Sequence, residues 1–588
     1  MKNAYTFISC LLFSVFTAST CFGQKITSDL ELDFTVLEKV EVLILFGNEL
    51  DMTTYDNIEY TKEEKGALVF TFLTKQANIA QQQVKALLSE KDITYKSYVI
   101  SNIIHCTIDK LTAEQIAAYP EVKTITINPT IQIEAPEKNP LPLDLRGGEP
   151  EWGIKQIQAD SVWSLGYRGE GAVVAGGDTG YDWDNRLIKE KYRGWKSVGL
   201  DSVDHSYNWH DGISEISPLH GDSLITDTTN PCGLAIKIPC DDHGHGSHTM
   251  GTMVGEDDEN AIGVAPGAQW IGCRNMERGY GSPATYLNCF EWFLAPTDTA
   301  GMNPDPALAP DVINNSWSCP EMEGCNEDNW SILETAVNNL KAAGIMVVAS
   351  AGNSGPDCNT IQSPPSMFEN AFVVGASNDM DLIANFSSRG TVSVDSSFRL
   401  KPDVVAPGVQ VRSIRLNDNF GTWNGTSMAG PHVAGAVALI ISANPSLRGQ
   451  VSIIEDILIQ SAMPLMSNQD CDGVLGTSIP NAVYGHGRID ALRAVELALG
   501  ITDIQESTLT SEIKVFPNPG QAILYIQLEN PTSIEGISLS DLSGRIIYNK
   551  KSDLQFQNAL PVADLAGGVY IVSVQSGGEL ITTKWIKQ

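Results

Sequence analysis

Short apolar runs alternate with longer segments of helical spacing through the middle of the chain. Between residues 150 and 500 the apolar runs have the length of strands, and residues 284–294 and 330–343 have the length and periodicity of helices. Strands that alternate with helices predict an α/β domain with a parallel sheet and helices on both faces. Active sites of such sheets lie at the carboxyl ends of the strands. The predicted strands are residues 172–177, 270–274, 312–314, 344–350 and 371–374.

The flanking segments predict two other kinds of domain. Residues 24–135 mix apolar strands with helical spacing, which predicts a small α+β domain before a proline-rich linker at 136–150 and the α/β domain at 151–500. Residues 501–512 are polar like a second linker, and residues 513–588 predict a small all-β sandwich. The elements expected are strands 40–46, 98–108 and 122–133 with helices 76–88 and 112–118, and then strands within 522–528, 537–548 and 568–574.

The first 23 residues have the pattern of an export signal. A positive charge at Lys2 precedes an apolar stretch over residues 7–16, and small and polar residues follow up to Gly23. Because the apolar stretch is too short to span a bilayer, we expect cleavage near Gly23 rather than anchoring. A lipoprotein modified at Cys21 is the alternative, but the residues before this cysteine lack the usual aliphatic side chain.

The net charge bears on the partners of the chain, and the cysteine content bears on its disulfides. The chain carries 71 acidic and 38 basic residues, and a net charge of −33 repels nucleic acid and anionic membranes, so neither is expected as a partner. An even number of cysteines in the α/β domain of an exported chain favours disulfides over a zinc site, because no paired C-x-x-C spacing is present. Short loops favour the pairs Cys232–Cys240 and Cys273–Cys289.

Candidate chemistry begins with an aspartate and a cluster of histidines. Asp178 ends a predicted strand and is followed by Thr-Gly, a pattern that an ordinary turn also explains. Three of the nine histidines, His243, His245 and His248, fall within six residues, which core packing does not explain. Their spacing fits a metal-dependent hydrolase, since His-x-His-x-x-His is typical of metal ligands. The other interpretation places His245 at the start of a helix as a catalytic base.

A serine motif favours the second interpretation. Ser427 lies in the sequence Asn-Gly-Thr-Ser-Met-Ala-Gly-Pro, where a predicted helix rich in small residues begins. The N–H groups and dipole at the start of a helix favour negative charge, such as the oxyanion that forms during acyl transfer. Asn353 follows an apolar strand, and its side-chain amide is a candidate donor to the same oxyanion.

The chain order Asp, His, Ser is that of subtilisin and differs from chymotrypsin and the α/β-hydrolases. With this order and these motifs, residues 152–499 resemble the subtilase family, and within it the bacillopeptidase F-like branch. The resemblance implies that Ser427 attacks the scissile carbonyl, His245 transfers its proton and Asp178 orients the imidazole. It also implies an oxyanion hole formed by Asn353 with the Ser427 backbone N–H, and substrate contacts from Asn314, Ser316 and Trp317.

The resemblance extends to the first domain and to cofactors. Residues 24–135 resemble a subtilase propeptide, an inhibitor and folding aid whose tail crosses the active site and is cut within residues 134–151. The chemistry requires no cofactor. Calcium stabilises many subtilases, and Asp182, Asp184 and Asn185 supply hard oxygen ligands, but the sequence places no complete coordination shell and leaves any metal site unknown.

The last domain resembles a type IX secretion sorting domain. The matching motifs lie at residues 516–519, 541–545 and 565–570. They imply recognition by the outer-membrane secretion machinery of a Gram-negative bacterium, passage through the periplasm and later removal of the domain. A carbohydrate- or protein-binding β-sandwich is the alternative interpretation.

The sequence therefore predicts a secreted serine endopeptidase that is made as a zymogen and acts on proteins or peptides. Two other function classes stay open. One is a metal-dependent hydrolase that uses the three clustered histidines. The other is a non-catalytic binding protein on the same scaffold.

Overall fold

The computed structural model describes most of the chain, which forms two compact units, Met1–Ile501 and Thr502–Gln588. The predicted export segment and the linker at 501–512 lie outside the described residues. The described residues are 25–47, 60–133, 137–139, 148–196, 202–217, 219 and 230–500 in the first unit, and 513–517, 520, 522–528, 534–541, 545–551, 557–576 and 579–587 in the second.

The first domain is built on a four-stranded antiparallel sheet with the strand order β2-β3-β1-β4. A capping box between Thr61 and Glu64 starts its longest helix, which begins well before the predicted helix 76–88. The elements are α1 (Ser28–Asp33), β1 (Val40–Phe46), α2 (Lys62–Ala80), α3 (Gln82–Glu90), β2 (Tyr95–Tyr98), β3 (Ile103–Ile108), α4 (Lys110–Ala117) and β4 (Val122–Ile127). The predicted strand 98–108 is thus two strands joined by a turn.

The α/β domain carries a seven-stranded sheet in which every neighbouring pair is parallel, as predicted. Two short strands, β5 (Ile131–Gln132) and β6 (Glu137–Asn139), connect it to the first domain. The sheet order is β10-β11-β7-β13-β14-β15-β16. The elements are α5 (Trp152–Gln156), α6 (Ala159–Ser164), β7 (Val173–Asp178), β8 (Trp195–Lys196), β9 (Ser202–Val203), β10 (Trp209–Asp211), α7 (His245–Val254), β11 (Gln269–Arg274), β12 (Tyr280–Gly281), α8 (Pro283–Leu294), β13 (Val312–Asn315), α9 (Trp330–Ala342), β14 (Met346–Ser350), β15 (Phe372–Ser377), β16 (Val404–Pro407), β17 (Val411–Arg415), β18 (Asn419–Asn424), α10 (Thr426–Ala443), α11 (Val451–Ser461) and α12 (Ala491–Ala498).

Alternate residues of the sheet strands enter two separate cores, because successive side chains point to opposite faces. Val174 and Val348 pack with α7, α10 and α12 on one face. Ala175 and Val347 pack with α8 and α9 on the other. Both faces are therefore covered, which explains why the strands are continuous apolar runs.

The first domain extends the second of these cores. In β1, Val42 and Ile44 face the domain's own helices, whereas Leu43 and Leu45 belong to the cluster that contains α8 and α9. Strand β1 is apolar throughout because both of its faces are buried. The sheet of the first domain thus packs directly on the α/β domain.

Helix α10 is the central helix of the α/β domain. By length and composition alone it could cross a membrane, but 94% of its apolar window is buried inside the protein. Such burial is typical of the core helix of a globular domain.

Four disulfides are formed within the α/β domain. They include the two predicted pairs, Cys232–Cys240 and Cys273–Cys289. The other two are Cys319–Cys325 and Cys358–Cys471, of which the second closes a separation of 113 residues.

The second unit is all-β, as predicted. Two antiparallel sheets with the orders β19-β20-β23 and β22-β21-β24-β25 enclose an apolar core that includes Leu524, Ile537 and Trp585. The strands are β19 (Ile513–Phe516), β20 (Ile523–Leu528), β21 (Ile534–Asp541), β22 (Ile546–Lys550), β23 (Gln557–Pro561), β24 (Gly568–Ser576) and β25 (Glu579–Lys587).

Candidate active site

An aspartate and a histidine are paired at the carboxyl edge of the parallel sheet. Asp178 is the last residue of β7 and His245 is the first residue of α7, and both side chains are fully buried. The Nδ1 atom of His245 lies 2.7 Å from Oδ1 of Asp178. Gly246 allows this approach, since a Cβ there would lie 2.1 Å from the Gly180 carbonyl oxygen. The pair is therefore set by backbone packing as well as by the hydrogen bond.

Ser427 is the second residue of α10 and lies at the same edge of the sheet. Its Oγ donates to the carbonyl of Ser316 at 3.3 Å, and the Ser316 hydroxyl donates back to the carbonyl of Ser427 at 3.1 Å. The Ser427 carbonyl is available because Pro431, four residues on in the helix, has no N–H to offer it. Ser316 and Ser427 are thus linked reciprocally.

The second ring nitrogen of His245 is buried without a hydrogen-bond partner in the part of the chain that the structure describes. With Nδ1–H donated to Asp178, the neutral ring carries its lone pair on Nε2. That nitrogen is suited to accept a proton from a hydroxyl group.

Asn353 is held at the start of α10 by Thr426. Its Oδ1 accepts hydrogen bonds from the backbone N–H of Thr426 at 2.9 Å and from the Thr426 hydroxyl at 3.0 Å. These two bonds define which end of the amide faces the helix. The N–H₂ group is the other end of the amide, and its nitrogen would lie 3.9 Å from a Cβ on Gly425, the residue just before the helix.

The predicted substrate residues have different surroundings. Ser316 and Trp317 line a small pocket together with Ser427 and Asn353. Trp317 is 3% exposed and stacks on Tyr286 with ring centroids 3.8 Å apart. Their contact with substrate stays a prediction.

Asn314 lies deeper, at the carboxyl end of β13. It is 1% exposed, and its amide donates to the Ser316 hydroxyl at 2.9 Å. A Cβ on Gly430 would lie 2.8 Å from its Oδ1, so helix α10 packs directly on this side chain. Asn314 thus holds the Ser316 hydroxyl in position through a hydrogen bond. Contact of Asn314 with substrate also stays a prediction.

Asp241 was not predicted from the sequence as a site residue. Its hydrogen bonds hold the segment around His245 in place. Its carboxylate accepts hydrogen bonds from the Thr179 hydroxyl at 2.9 Å and from the Ser247 hydroxyl at 2.7 Å. It also accepts the backbone N–H groups of His243, Gly244 and Ser247. An aspartate just before the first turn of a predicted helix is a common cap, and that local cue was available.

The histidine cluster is divided among different partners. His248 stacks on Trp423 with centroids 4.5 Å apart, and its Nε2 lies 3.3 Å from the Gly421 carbonyl. Burial, and then the nearby His245, lowers the pKa of His248 to about 3. Among the residues with described positions, no group of three His, Cys, Asp or Glu side chains is arranged to hold a metal ion.

Two of the residues considered for calcium binding accept hydrogen bonds from backbone N–H groups. Asp182 accepts the backbone N–H of Asn417 through Oδ2, and Oδ1 of Asn185 accepts the N–H of Leu187. One oxygen of each of these two side chains thus already accepts a hydrogen bond, and calcium binding by Asp182, Asp184 and Asn185 stays a prediction.

The end of the first domain enters the same cleft. Strand β5 pairs antiparallel with β12, and the Ile133 N–H donates to the Gly279 carbonyl at 2.8 Å. Ile133 also lines the pocket that contains Ser427. Further along, β6 pairs antiparallel with β18, with Glu137 opposite Asn424. The chain is therefore paired with the α/β domain on both sides of residues 134–136.

A larger cavity of about 370 Å³ shares Ser318 and Gly352 with this pocket. Its lining includes several hydroxyl groups and two acidic side chains. The hydroxyl residues include Ser354, Thr360, Ser363, Ser366 and Ser388, and the acidic residues are Glu321 and Glu323. The lining also includes the apolar residues Pro320, Met322 and Ala351, so the cavity is mixed in character.

Comparison with known proteins agrees with this fold. The profile of the subtilase family matches residues 169–487, and that of the secretion system C-terminal sorting domain matches residues 514–588. The chain belongs to the subtilase family, and it is a serine endopeptidase of the subtilisin type. Its C-terminal sorting domain implies secretion to the cell surface or the surroundings.

Two curated relatives give the extent of the similarity. Bacillopeptidase F of Bacillus subtilis (strain 168) is 34% identical over 504 residues, which are 80% of this chain but only 32% of that protein. Subtilisin DY of Bacillus licheniformis is 33% identical over 300 residues, which cover 50% of this chain and 86% of that protein. The chain thus spans most of a small subtilisin and about a third of bacillopeptidase F.

A solved structure is similar in fold. The epidermin leader peptide processing serine protease of Staphylococcus aureus, studied as a mutant, superposes with a TM-score of 0.55. The match covers 78% of this chain and 100% of that one at 17% sequence identity. At this identity the likeness concerns the fold alone.

Proposed function

We propose that the chain is the secreted zymogen of a serine endopeptidase that hydrolyses peptide bonds through an acyl-enzyme. Asp178, His245 and Ser427 form the catalytic triad, and Asn353 contributes to the oxyanion hole. The observation that carries this proposal is the buried 2.7 Å contact between Asp178 and His245 at the sheet edge where α10 presents Ser427.

In the first half of the reaction, Ser427 Oγ attacks the scissile carbonyl carbon and its proton passes to His245 Nε2. Asp178 keeps the other ring nitrogen protonated and stabilises the imidazolium. The imidazolium then protonates the leaving amine, and the acyl group stays on Ser427. A water molecule repeats these steps to release the acid, so no step requires a metal ion or a cofactor.

The tetrahedral intermediates carry negative charge on the former carbonyl oxygen. The N–H₂ group of Asn353 and the backbone N–H of Ser427 stabilise this oxyanion at the start of α10. Because Thr426 holds the other end of the Asn353 amide, the donor is oriented before substrate binds.

The first domain acts as the propeptide of this enzyme. Its tail pairs with β12 on one side of residues 134–136 and with β18 on the other, like a bound substrate. We infer that Ser427 cuts the chain between Ile133 and Glu137. Sequencing of the purified active enzyme should find its N-terminus within residues 134–137 or at a later trimming site before residue 151. An active enzyme that still began at Gln24 would contradict this maturation.

The second unit directs export across the outer membrane of a Gram-negative bacterium and is then removed. The match to a sorting domain supports this role. Deletion of residues 513–588 should leave the enzyme in the periplasm. Normal release of the truncated chain would favour a carbohydrate- or protein-binding role for this domain.

The triad is tested with Ser427→Ala in the full chain. Loss of the nucleophile should lower kcat by about 10⁶-fold and abolish labelling by a serine-directed reagent. Ser442→Ala, on the same helix, is the matched control and should keep full activity. Wild-type activity should survive a chelator, and its loss on chelation would favour the metal-dependent alternative. Wild-type rates in Ser427→Ala would contradict the proposal.

A further inference from the structure

A buried carboxylate lies between the segment of the catalytic histidine and the strand that pairs with the tail. Asp242 comes three residues before His245, and both of its carboxylate oxygens are used. Oδ2 accepts a hydrogen bond from Arg274 at 3.0 Å, and Oδ1 accepts the backbone N–H of Arg278 at 2.9 Å. The side chains of Asp242 and Arg274 are both fully buried. Asp242 takes no part in the proton transfers of the proposed reaction.

Arg274 holds this carboxylate at the edge of the parallel sheet. Arg274 is the last residue of β11 and lies beside Asp178 of β7 in the strand register. Its guanidinium group donates to both oxygens of Asp211, the last residue of β10, at 3.0 and 3.1 Å. Two parallel bonds to one carboxylate fix the plane of a guanidinium group. The position of Asp242 is therefore set by the same strand ends that carry the catalytic aspartate.

The other partner of Asp242 lies in the turn that leads into β12. Glu277 and Tyr280 exchange backbone hydrogen bonds at 2.7 and 3.0 Å, and Arg278 and Gly279 are the two central residues. Their φ angles are 50° and 89°. Positive φ at both central residues is typical of a type I′ turn, which suits asparagine and glycine but is unfavourable for arginine. The bond to Asp242 thus holds a conformation that arginine disfavours.

The same turn contacts both the tail and the segment before the histidine. The Gly279 carbonyl accepts the N–H of Ile133, and β12 pairs with β5 of the tail. On the other side, a Cβ on Gly279 would lie 3.5 Å from Cδ2 of His243, the residue that follows Asp242. A shift of the turn would therefore move the peptide-binding edge relative to the catalytic base.

We propose that Asp242 is a positioning residue that sets the place of turn 277–280 relative to His245. The proposal rests on the proposed function, and it concerns peptides that pair with β12. Asp242 joins the backbone of Arg278 to a buried cation at the sheet edge, so a paired peptide presents its scissile bond to His245 and Ser427 at the correct point along its backbone. A substrate too short to pair with β12 does not need this link.

Asp242→Asn breaks the link with little change in shape. Aspartate offers one acceptor oxygen to Arg274 and another to Arg278, whereas asparagine has a single acceptor and turns an N–H₂ group towards the second donor. The pair of Arg274 with Asp211 remains, so no buried charge loses its partner. Asp211→Asn is the matched control, because it alters the same cation but Asp211 makes its other bonds to different backbone segments.

The decisive experiment compares two thiobenzyl esters on the matured enzyme, acetyl-Ile-Gln-Ile-Leu and acetyl-Leu. The longer ester carries the tail sequence 131–133 that faces β12, and the leaving group is the same. Because burial raises the pKa of Asp242 to about 7, rates are measured at about pH 9, where its carboxylate is ionised. Asp242→Asn should lower kcat/KM about tenfold or more for the longer ester and less than about threefold for the shorter one. Asp211→Asn should change both esters by the same factor.

Two further variants separate positioning from general stability. Asp242→Ala removes both bonds without adding an N–H₂ group and should give the same selective loss. Arg278→Asn keeps the backbone N–H and provides Asn-Gly, the preferred type I′ pair. Added to Asp242→Asn, it should restore the longer ester about threefold or more, and no restoration would show that Asp242 does not act through the turn.

The outcomes distinguish this proposal from the proposed function. Equal losses on the two esters in Asp242→Asn, or no loss on either, would overturn the positioning role while the triad stands. If the wild-type enzyme cleaves neither ester, or if Ser427→Ala cleaves both at wild-type rates, the proposed function itself fails.

Discussion

The first domain contacts the α/β domain near both ends of α10, but the two contacts are of different kinds. At the Ser427 end, the tail is bound through backbone pairing of β5 and β6, which places few demands on side chains. At the Arg448 end, α2 is bound through a buried lysine, a glutamate and a close glycine contact. Backbone pairing suits a site that must accept many sequences, whereas the side-chain contact suits one permanent partner.

This difference separates two tasks that a single contact could not perform together. The cleft has to bind a peptide, cut it and bind the next one, so its contacts with any one segment must be replaceable. The contact of α2 with Asp311 and Arg448 takes no part in the chemistry and can be specific. Variants at the two contacts should separate these tasks, and the largest effect is expected at the triad.

The Asp178–His245 pair should dominate activity and leave propeptide docking unchanged. Asp178→Asn keeps the shape of the site but favours the wrong imidazole tautomer, so kcat should fall by about 10⁴-fold. Steady-state kinetics on a peptide substrate measures the loss, with the exposed Asp379→Asn as control. A fall of less than tenfold would show that His245 does not depend on this carboxylate.

Removal of the oxyanion donor should have the next largest effect. Asn353→Ala should lower kcat by about 10²–10³-fold with little change in KM, because the donor acts mainly on the charged intermediate. Asn370→Ala, which removes an amide paired with Asn338, serves as the control. A rise in KM at unchanged kcat would instead indicate a role in substrate binding.

At the opposite end, Arg448 should contribute more to the stability of the mature enzyme than to that of the precursor. Asp311 has two cationic partners in the precursor, Lys62 and Arg448, and only Arg448 once the propeptide has left. Arg448→Met should therefore destabilise the mature enzyme by about 1–3 kcal/mol, since the arginine is partly exposed, and the precursor by less. Thermal unfolding of both forms gives the comparison, with Arg493→Met as control. Equal losses would contradict the pairing of Lys62 with Asp311.

The smallest expected effect is the pH dependence of a third contact between the propeptide and the α/β domain. Glu291 on α8 accepts the backbone N–H groups of Val99 and Ile100, and burial raises its pKa to about 7 despite these hydrogen bonds. Water returns to the carboxyl group when the propeptide leaves, and the pKa falls back towards its ordinary value of 4.5. The docked form therefore binds the extra proton, so docking is strongest below pH 4.5 and weakens as the pH rises through 7.

The rate of propeptide dissociation from the cut wild-type complex should rise a few-fold between pH 5 and pH 8. Glu291→Gln keeps a hydrogen-bond acceptor but cannot titrate, so its contribution should be the same at both pH values. A wild-type rate that falls over this range would reverse the sign assigned to Glu291.

Much of the architecture could be predicted because the relevant patterns are local. The alternation of strands and helices predicted the parallel sheet. The order of the motifs predicted that Asp178, His245 and Ser427 form one site at the edge of that sheet. Two cysteine pairs, Cys232–Cys240 and Cys273–Cys289, could also be predicted, because few residues separate the partners, whereas the still shorter Cys319–Cys325 loop was not predicted.

Other features depend on contacts between distant parts of the chain. Lys62 and Asp311 are far apart in sequence, and no local pattern links them. The start of α2 was missed because Gly66 and the aromatic and β-branched residues after it are weak helix formers, and burial against the α/β domain overrides that preference. Asp241 was missed because its role consists of hydrogen bonds to several segments rather than of any chemistry of its own.

Pro431 has a consequence for how the nucleophile could be altered. Any other residue at this position would bring an N–H into the helix and compete with the Ser316 hydroxyl for the Ser427 carbonyl. Regular helical geometry would then draw the peptide group of Ser427 towards the helix axis. Restoring the hydrogen bond from residue 431 would thus be expected to displace Oγ of Ser427. The absence of this bond in the helix therefore helps to orient the nucleophile.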